Sequence, residues 1–573
     1  MELSDWFELG IFLLLLLILT KVLGVYLYRV LEQKPKTYLG VIFAPLERAT
    51  YCICRIPFEK TQSWKEYLGS LLAFSFVCLI LTFLLLMVQQ FLPLNPENLS
   101  NLSWDLSFNT AVSFMTNTDW QSYSGETTMS YFSQMVVLTL QCFVSPAVGM
   151  CTVAALIRGI VGNKHEGLGN FWVDLVRLSY YVFLPLALIF TVFYLTQGIP
   201  ENFDAYTQCQ SLPSSQKIQT IVQGPIASQE SIKLIGSNGG GYTGVNSCHP
   251  YENPTPISNF FQILSIILIP AAQTYYLGRM VKSQKHGWSV FVAMLVVFLG
   301  ALFVCTYFEL EGNPLYEKLG IENTVGNLEG KESRFTTFES TLYGVTTTCV
   351  ANGAVNSMHD SYTPIGGMVL LLNMQLGEII FGGIGSGLYS IVLFVILAIF
   401  IAGLITGRTP EYLKKKIEGH DIKLVVLALL AFFLSIIGFS AWASVSQWGI
   451  SSLGNQGPHG LSEILYAFSS ATGNNGSAFG GLSANTIPYN LTLGFAMLIG
   501  RFLILSLIIA LGGSFLQKKK HPHSAGSFPT SGPMFTFLLI GVIILLGALT
   551  FIPSLVMGPI LEEFFMLKGV FFL

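Results

Sequence analysis

Long apolar runs separated by short polar segments dominate this chain. A membrane-spanning helix needs about 20 mostly apolar residues, and ten runs approach or exceed that length. The pattern therefore predicts an all-α polytopic membrane protein with ten transmembrane helices, near residues 7–29, 66–92, 131–158, 172–196, 256–281, 288–310, 363–407, 422–445, 489–516 and 534–557.

The seventh run, 363–407, is too long for one membrane crossing. Gly377 and the segment Phe381–Gly387 interrupt its middle, and glycine is a poor helix former. We expect a broken helix with a loop at membrane depth, around Gly382, Gly383 and Gly385. Such a loop is tolerated only where protein buries it or where it lines a water-filled path.

Four polar loops rich in glycine, asparagine and threonine lie between the apolar runs. Thr118, Gly240, Gly353 and Gly476 mark them at intervals of 122, 113 and 123 residues. Any one of them resembles an ordinary soluble glycine-rich turn, but the near-constant period favours four quasi-equivalent quarters around one pore. Rings of backbone carbonyls can replace the hydration shell of an alkali cation. The predicted cation-binding residues are Asn117, Thr118, Asn238, Gly239, Gly240, Asn352, Gly353, Asn474, Asn475 and Gly476.

A short amphipathic stretch precedes each loop, with an acidic residue near its start: Asp105, Glu230, Glu339 and Glu463. The C-terminal end of a helix carries partial negative charge, so four inward-pointing helices would favour a cation at the loops. Ordinary preference for acids at helix N-termini explains each residue alone. The predicted short helices cover residues 105–116, 226–236, 338–349 and 460–471.

These elements divide the chain into four units, each a helix, a short re-entrant helix, a loop and a returning helix. The motif V-N-S-x-H follows both the second and the third loop, at Val245–His249 and Val355–His359. We expect Asn246 and Asn356 to brace the returning helices. The predicted segments are 1–65 (first helix and cytoplasmic part), 66–165, 166–285, 286–418 and 419–520 (pore units 1 to 4), and 521–573 (last helix and C-terminus).

Composition and charge add class and orientation. The 573 residues are 52% hydrophobic and only 11% charged, with a mean hydropathy of +0.60, whereas soluble domains carry about 25% charged residues. No basic tract suggests nucleic-acid binding. Of the 29 Lys and Arg residues, 22 fall on one side and 6 on the other. By the positive-inside rule, both termini and all four loops lie outside, and the basic side is formed by residues 21–65, 158–177, 279–285, 408–423 and 518–520.

Two ionisable residues, Glu378 and Arg501, lie within the apolar runs. Ionisable groups at that depth are costly and usually functional. We expect both to face the interior below the loops, where Arg501 is a positive barrier to leak and Glu378 helps a cation to leave. A structural ion pair that only fastens two helices is the alternative.

Two further patterns limit the chemistry. Cys209 and Cys248 share one outside loop, so a disulfide is one expectation in an oxidising periplasm. The chain has neither a G-x-x-x-x-G-K-[ST] phosphate loop nor a D-K-T-G phosphorylation sequence. It therefore cannot hydrolyse ATP by itself, and no set of residues supports a membrane-embedded enzyme.

Four strings resemble the potassium-binding A subunits of bacterial Kdp potassium-transporting ATPases (KdpA), and the similarity runs through essentially the whole chain. They are Thr116–Ser122, Gly236–Gly241, Asn352–Asn356 and Asn474–Phe479.

The resemblance implies a member of the potassium-transporter superfamily with a pseudo-fourfold filter, a non-catalytic subunit in the bacterial inner membrane. It implies K⁺ as the transported ion and three partners: the P-type ATPase KdpB, the single-span protein KdpC and often the small protein KdpF. It also implies that potassium leaves the filter sideways, through a tunnel beside the break at 381–387, and that Glu378 and Arg501 are charged positions of the cavity and exit.

One departure from the family is Asp119, where an amide is more usual. Its carboxylate either attracts cations at the outer mouth or simply accepts hydrogen bonds. The alternative function, a stand-alone Trk/Ktr-like passive or gradient-coupled potassium transporter, shares the four-loop plan and stays open on the sequence.

Overall fold

The computed structural model describes residues 1–33, 39–163, 166–210, 218–321, 325–521 and 528–570. These residues contain ten helices long and apolar enough to cross a membrane, which confirms the predicted fold class. Helices 1 to 10 are Leu3–Glu32, Trp64–Met87, Ser133–Val161, Phe171–Thr196, Pro256–Met280, Gln284–Glu311, the two halves Pro364–Gln375 and Ser386–Ile405 of helix 7, Gly419–Val445, Ile487–Leu516 and Pro533–Lys568.

Helices 2 to 9 form two concentric layers. In the most apolar stretches of helices 3, 5, 7 and 9, which follow the loops, 83, 83, 72 and 56% of the residues are buried. The corresponding values for helices 2, 4, 6 and 8, which precede the loops, are 22, 33, 50 and 39%. Each unit therefore places its returning helix toward the centre and its leading helix toward lipid.

Four short helices confirm the predicted re-entrant elements. Pore helices 1 to 4 are Trp104–Met115, Ile226–Ile235, Thr337–Cys349 and Gly457–Gly473. Pore helix 3 starts with a capping box, in which Thr336 Oγ1 accepts from the Glu339 backbone N–H at 3.1 Å and Glu339 accepts from the Thr336 N–H at 2.7 Å. This reciprocal pair satisfies N–H groups that a helix start otherwise leaves without partners.

Helix 7 is broken, as the sequence predicts. Its first half begins at Pro364 behind Thr363, whose side chain accepts from the Gly366 N–H at 3.3 Å. It ends at Gln375, and the second half starts at Ser386. Gly385 has φ +90°, and a Cβ there would lie 2.3 Å from the Gly149 carbonyl oxygen of helix 3. Only glycine fits this close crossing.

The two remaining long helices lie outside the fourfold set, as expected. Helix 1 packs along helix 5, while helix 10 packs against helices 6 and 7. The bounds of the six predicted segments stay a prediction.

One helix outside the membrane-spanning set was not predicted. Helix Gly40–Ile53 is anchored to helix 4 through the buried Glu47, which accepts from Tyr51 and Tyr181 hydroxyls at 2.7 Å and from Arg177 Nε at 3.1 Å.

Several small elements complete the described chain. The short helices are Gly125–Thr128, Pro314–Lys318 and Gln447–Ile450, and the 3₁₀ turns are Gln89–Phe91, Asn246–Cys248 and His359–Ser361. Strands Thr207–Gln210 and Ile218–Ile221 pair antiparallel, as do Glu411–Tyr412 and Lys415–Lys416. Helices 3, 4, 9 and 10 each contain a π-helical segment, at Ser133–Thr139, Leu178–Phe183, Ile499–Leu503 and Val556–Ile560.

Candidate functional site: a ring of four loops

The four polar loops meet at one place and close into a ring. A Cβ added at Gly239 would lie 2.8 Å from the Thr118 carbonyl oxygen and 2.7 Å from the Gly353 Cα. A Cβ at Gly353 would lie 2.7 Å from the Gly476 carbonyl carbon, and one at Gly476 would lie within bonding distance of the Thr118 carbonyl oxygen. Glycine at these positions therefore lets four backbones approach each other without side chains between them.

Each loop leaves its pore helix through the same backbone conformation. The first loop residue is left-handed at Asn117, Ser237, Ala351 and Asn474, with φ values of +66°, +47°, +54° and +57°. The N–H of the following residue then donates to the carbonyl five positions earlier, at 2.9 to 3.0 Å. These four pairs are Thr118 with Ser113, Asn238 with Lys233, Asn352 with Thr347 and Asn475 with Ser470. This repeated geometry is a helix C-terminal cap and demonstrates the pseudo-fourfold relation.

The repeated geometry corrects the register predicted from sequence. Thr118 is equivalent to Asn238, Asn352 and Asn475, so the glycine equivalent to Gly353 and Gly476 is Gly239, not Gly240. In the first loop Asp119 occupies that position. The one-residue error arose because Gly239, Gly240 and Gly241 are indistinguishable in a sequence.

The side-chain amides of the asparagines hold neighbouring loops together. Asn117 Nδ2 donates to the Ser237 carbonyl at 2.7 Å, Asn475 Nδ2 to the Thr347 carbonyl at 3.0 Å, and Asn474 Nδ2 to Thr118 Oγ1 at 2.9 Å. Asn352 Nδ2 donates to the Lys233 carbonyl at 3.3 Å. The amide nitrogens of these asparagines are therefore engaged with protein, whereas the buried Asn238 Oδ1 has no hydrogen-bond partner in the described chain.

The departure at Asp119 is buried. Its Oδ2 accepts a hydrogen bond from the Cys142 thiol at 3.2 Å, and its side chain has no solvent exposure. This contact agrees with the hydrogen-bonding alternative for Asp119.

All four pore helices end at the ring, so their partially negative C-termini converge there. The predicted placement of the acids holds only in part. Asp105 and Glu339 lie in the first turns of their helices. Glu230 and Glu463 lie further along, because pore helices 2 and 4 begin at Ile226 and Gly457. Glu463 instead accepts from the Gly454 and Asn455 N–H groups, at 3.0 and 2.9 Å.

A buried ionic cluster behind the second loop was missed in the sequence. Lys233 Nζ lies 2.5 Å from Glu230 Oε2 and 2.9 Å from Glu252 Oε2, with all three side chains at most 2% exposed. Glu252 Oε1 also accepts from the Thr243 N–H at 2.7 Å. The predicted short helix 226–236 contains Lys233, but the burial of Lys233 and its two carboxylate partners were not predicted. The i, i+3 spacing of Glu230 and Lys233 was the feature of the sequence from which this ion pair could have been predicted.

The third unit also contains a buried ion pair. Glu309 of helix 6 lies 2.5 Å from Lys331 Nζ, and its other oxygen accepts from the N–H and hydroxyl of Thr363, both at 2.7 Å. This contact fixes the start of helix 7.

The helix 7 break lies directly below the ring. The Gly382 N–H donates to the Cys349 carbonyl of pore helix 3 at 3.2 Å, and a Cβ at Gly383 would lie 3.2 Å from Ala351 Cβ. Glu378 lies inside the break, with φ +52°. A Cβ at Gly473, at the end of pore helix 4, would lie 2.7 Å from its Oε1.

Arg501 is buried on the π-helical segment of helix 9. Its Nη2 donates to the Ser145 carbonyl of helix 3 at 2.7 Å, and Nε has no partner among the described residues. Within the described chain no salt bridge joins Arg501 to Glu378, so the alternative of a fastening ion pair between them is not formed.

The two V-N-S-x-H motifs form hydrogen bonds, but in the described chain neither asparagine side chain bonds to the returning helix of its own unit, as had been expected. Asn356 Nδ2 donates to Asn259 Oδ1 of helix 5 at 3.0 Å, and Asn246 Oδ1 accepts from Lys233 Nζ at 2.7 Å. His359 Nδ1 pairs with the Tyr466 hydroxyl at 2.7 Å. The expected disulfide is wrong, because Cys209 and Cys248 are separate free thiols.

Lys415 joins the C-terminal ends of helices 3 and 9, a role the sequence did not indicate. Its ammonium donates to the Gly159, Gly162 and Phe515 carbonyls at 3.0, 2.7 and 2.8 Å. Burial and the nearby charge of Lys520 lower the pKa of Lys415 to about 8, so at neutral pH it remains a cation at two negative helix ends.

Lys415→Met is expected to destabilise the protein by about 1–3 kcal/mol, because it leaves buried carbonyls without their donor. Thermal unfolding of the purified protein measures the loss. The neighbouring Lys416, whose side chain is exposed, supplies the matched control Lys416→Met. Equal melting temperatures for the two variants would contradict the role of Lys415.

Comparison with known protein sequences identifies the family to which this chain is similar. Residues 10–564 match the family profile described as potassium-transporting ATPase A subunit. Proteins named potassium-transporting ATPase potassium-binding subunit include one from Methylacidiphilum infernorum, 50% identical over 99% of this chain and 100% of that protein. Another, from Solibacter usitatus, is 51% identical over 96% of each chain.

A solved structure has a similar fold. The potassium transporter TrkH from Vibrio parahaemolyticus superposes with a TM-score of 0.53 at 15% identity, covering 88% of this chain and 98% of that chain.

Proposed function

Because the chain belongs to the potassium-transporting ATPase A subunit family, we propose that its four-loop ring is a selectivity filter for extracytoplasmic potassium. The bound ion then passes to a partner ATPase subunit, whose ATP hydrolysis drives high-affinity import. The chain itself is the potassium-binding subunit of that complex and a multi-pass membrane protein.

The closed contact of Thr118, Gly239, Gly353 and Gly476 carries this proposal. Four backbones meet without intervening side chains, and four negative helix ends point at them. Backbone carbonyls in such a ring replace the hydration shell of K⁺. The residues assigned to potassium are those predicted from the sequence, with Gly239 in place of Gly240 at the ring itself.

We assign the helix 7 break to the exit from the filter. Gly382, Gly383 and Gly385 hold the break against pore helix 3 and helix 3, and Glu378 adds a carboxylate below the ring. Non-helical backbone at this depth requires a protein-lined or water-lined setting. Arg501, fixed to helix 3, supplies positive charge beside the same region.

The proposed assembly contains the ATPase KdpB, the single-span KdpC and the small KdpF in the bacterial inner membrane. Both termini are extracytoplasmic in this arrangement, by the distribution of Lys and Arg. The lipid bilayer covers the outer helices.

The proposal is tested by ATP hydrolysis of the complex that copurifies with this chain. We expect K⁺ to stimulate hydrolysis at concentrations where Na⁺ does not. If no ATPase copurifies while the chain alone carries potassium into vesicles, the Trk-like alternative is correct. The fold shared with TrkH keeps that alternative physically reasonable.

Arg501→Gln is expected to uncouple transport. Removing a buried positive charge lowers the barrier to cation passage below the ring, and each 1.4 kcal/mol changes a rate about tenfold. Potassium taken up per ATP hydrolysed, and passive rubidium flux in proteoliposomes, measure the effect. Arg501→Lys, which keeps the charge, is the control. Unchanged coupling in Arg501→Gln would leave Arg501 only its hydrogen bond to Ser145.

A further inference from the structure

A histidine and three carboxylates lie together beside the third and fourth loops. His459, in the first turn of pore helix 4, contacts Asp360 Oδ1 through Nε2 at 2.9 Å and Glu562 Oε1 through Nδ1 at 2.7 Å. Glu463 is one turn further along the same helix. Ligand atoms of Asp360, His459 and Glu463 all lie within 4.8 Å of one another.

The Asn455 side chain bridges two of these carboxylates: its Nδ2 donates to Glu463 Oε1 at 2.9 Å and to Asp360 Oδ2 at 3.3 Å. A Cβ added at Gly481 would lie 2.5 Å from Glu463 Oε1 and 3.0 Å from Asp360 Oδ2. Glycine at this position keeps a side chain away from both oxygens, so a cation that displaces the Asn455 amide can reach them.

An open cavity gives a cation access to Asp360 and His459. Its volume is about 410 Å³, and Asp360, His459 and Glu562 line it together with Glu329. No Lys or Arg belongs to its lining in the described chain. The three clustered carboxylates exceed the charge of one imidazolium, so the cluster is anionic even when His459 is protonated.

We propose that Asp360, His459 and Glu463 bind a divalent transition-metal ion, of which Zn²⁺ is the representative. Zinc takes imidazole nitrogen and carboxylate oxygen at about 2.0–2.2 Å and often keeps an open position for water next to three protein ligands. The metal takes the place of the Asn455 amide between the two carboxylates and lies on the Nε2 side of the imidazole.

Glu562 of helix 10 completes the arrangement as an orienting residue. Metal-bound histidines usually donate their second ring N–H to a carboxylate, which fixes the tautomer and the ring plane. Glu562 is placed for this at Nδ1. Without metal, burial favours the neutral ring, but hydrogen bonds to Asp360 and Glu562 outweigh it and raise the pKa of His459 to about 10. Metal binding replaces the Nε2 proton.

The site joins elements that shape the outer side of the ring. Asp360 lies on the 3₁₀ turn after the third loop, and its N–H donates to the Phe479 carbonyl after the fourth loop at 2.8 Å. A bound ion therefore links the third loop, pore helix 4 and helix 10. This site differs from the potassium ring in residues and in ligand chemistry.

The test is zinc binding by the intact purified complex after chelator treatment. Isothermal titration with Zn²⁺ is expected to give one site per chain, and Co²⁺ added instead is expected to give visible d–d absorption typical of nitrogen and oxygen ligation. Asp360→Asn and His459→Gln are expected to weaken zinc binding at least tenfold, and Glu562→Gln about tenfold through its orienting role.

His249→Gln is the matched control, because His249 lies on the loop after the second filter segment, away from the cluster. Unchanged binding in Asp360→Asn and His459→Gln would overturn the proposal, as would absence of wild-type binding up to millimolar zinc. If the wild-type protein binds no zinc, the cluster is only a set of ion pairs that joins these segments. Zinc binding is measured without potassium or ATP, so its failure leaves the potassium-filter proposal intact.

Discussion

Gly353→Ala is expected to abolish potassium-stimulated ATP hydrolysis at micromolar potassium. The added Cβ would lie 2.7 Å from both the Gly239 Cα and the Gly476 carbonyl carbon, so two neighbouring loops must move apart. A loss of about 3 kcal/mol in cation binding corresponds to more than 100-fold in affinity. Hydrolysis measured against potassium, rubidium and sodium concentration reports both affinity and selectivity.

Gly300→Ala is the matched control for that substitution. It is the same chemical change in helix 6, where an added Cβ meets nothing within 4 Å. We expect wild-type affinity and selectivity for this variant. A Gly353→Ala complex that still prefers potassium with wild-type affinity would remove the third loop from the filter.

Lys233→Met is expected to cost about 3–5 kcal/mol of stability, because it leaves two buried carboxylates without their cation. Lys233 also donates to Asn246 Oδ1 at 2.7 Å, and Glu252 holds the Thr243 N–H. The second loop should therefore loosen as well. Thermal unfolding measures the first effect, and potassium affinity of the surviving complex measures the second.

Two variants separate this effect from the loss of any lysine. Lys568→Met removes an exposed lysine near the end of helix 10 and should change stability by less than about 0.5 kcal/mol. Combining Lys233→Met with Glu230→Gln removes one of the two stranded charges and should recover part of the loss. If Lys233→Met alone unfolds like wild type, the cluster does not support the second loop.

Local features of the sequence were sufficient for most of the fold. Length and polarity located the ten spanning helices, and glycine inside an apolar run located the break in helix 7. The short stretch before each loop was found within a few residues of pore helices such as Thr337–Cys349. These features depend on residues that are close together in the sequence, so the order of apolar, polar and glycine residues is enough to predict them.

Contacts between residues far apart in the sequence could not be predicted. Lys233 and Lys415 lie in sequence contexts that also occur around solvent-exposed lysines. Their burial depends on residues of other segments, such as Glu252 and Gly159. Only the hydrogen bond from the Asn238 N–H to the Lys233 carbonyl showed that Gly239, and not Gly240, is equivalent to Gly353. The side-chain amides of Asn117 and Asn475 likewise donate to neighbouring units, to the Ser237 and Thr347 carbonyls.

The ring is built from four unlike segments of one polypeptide. In a homotetrameric channel a single codon change alters all four walls at once. Here the Asp119 position of the first loop can differ from Gly239, Gly353 and Gly476 without touching them. Each wall therefore mutates independently, just as the break in helix 7 interrupts the returning helix of the third unit.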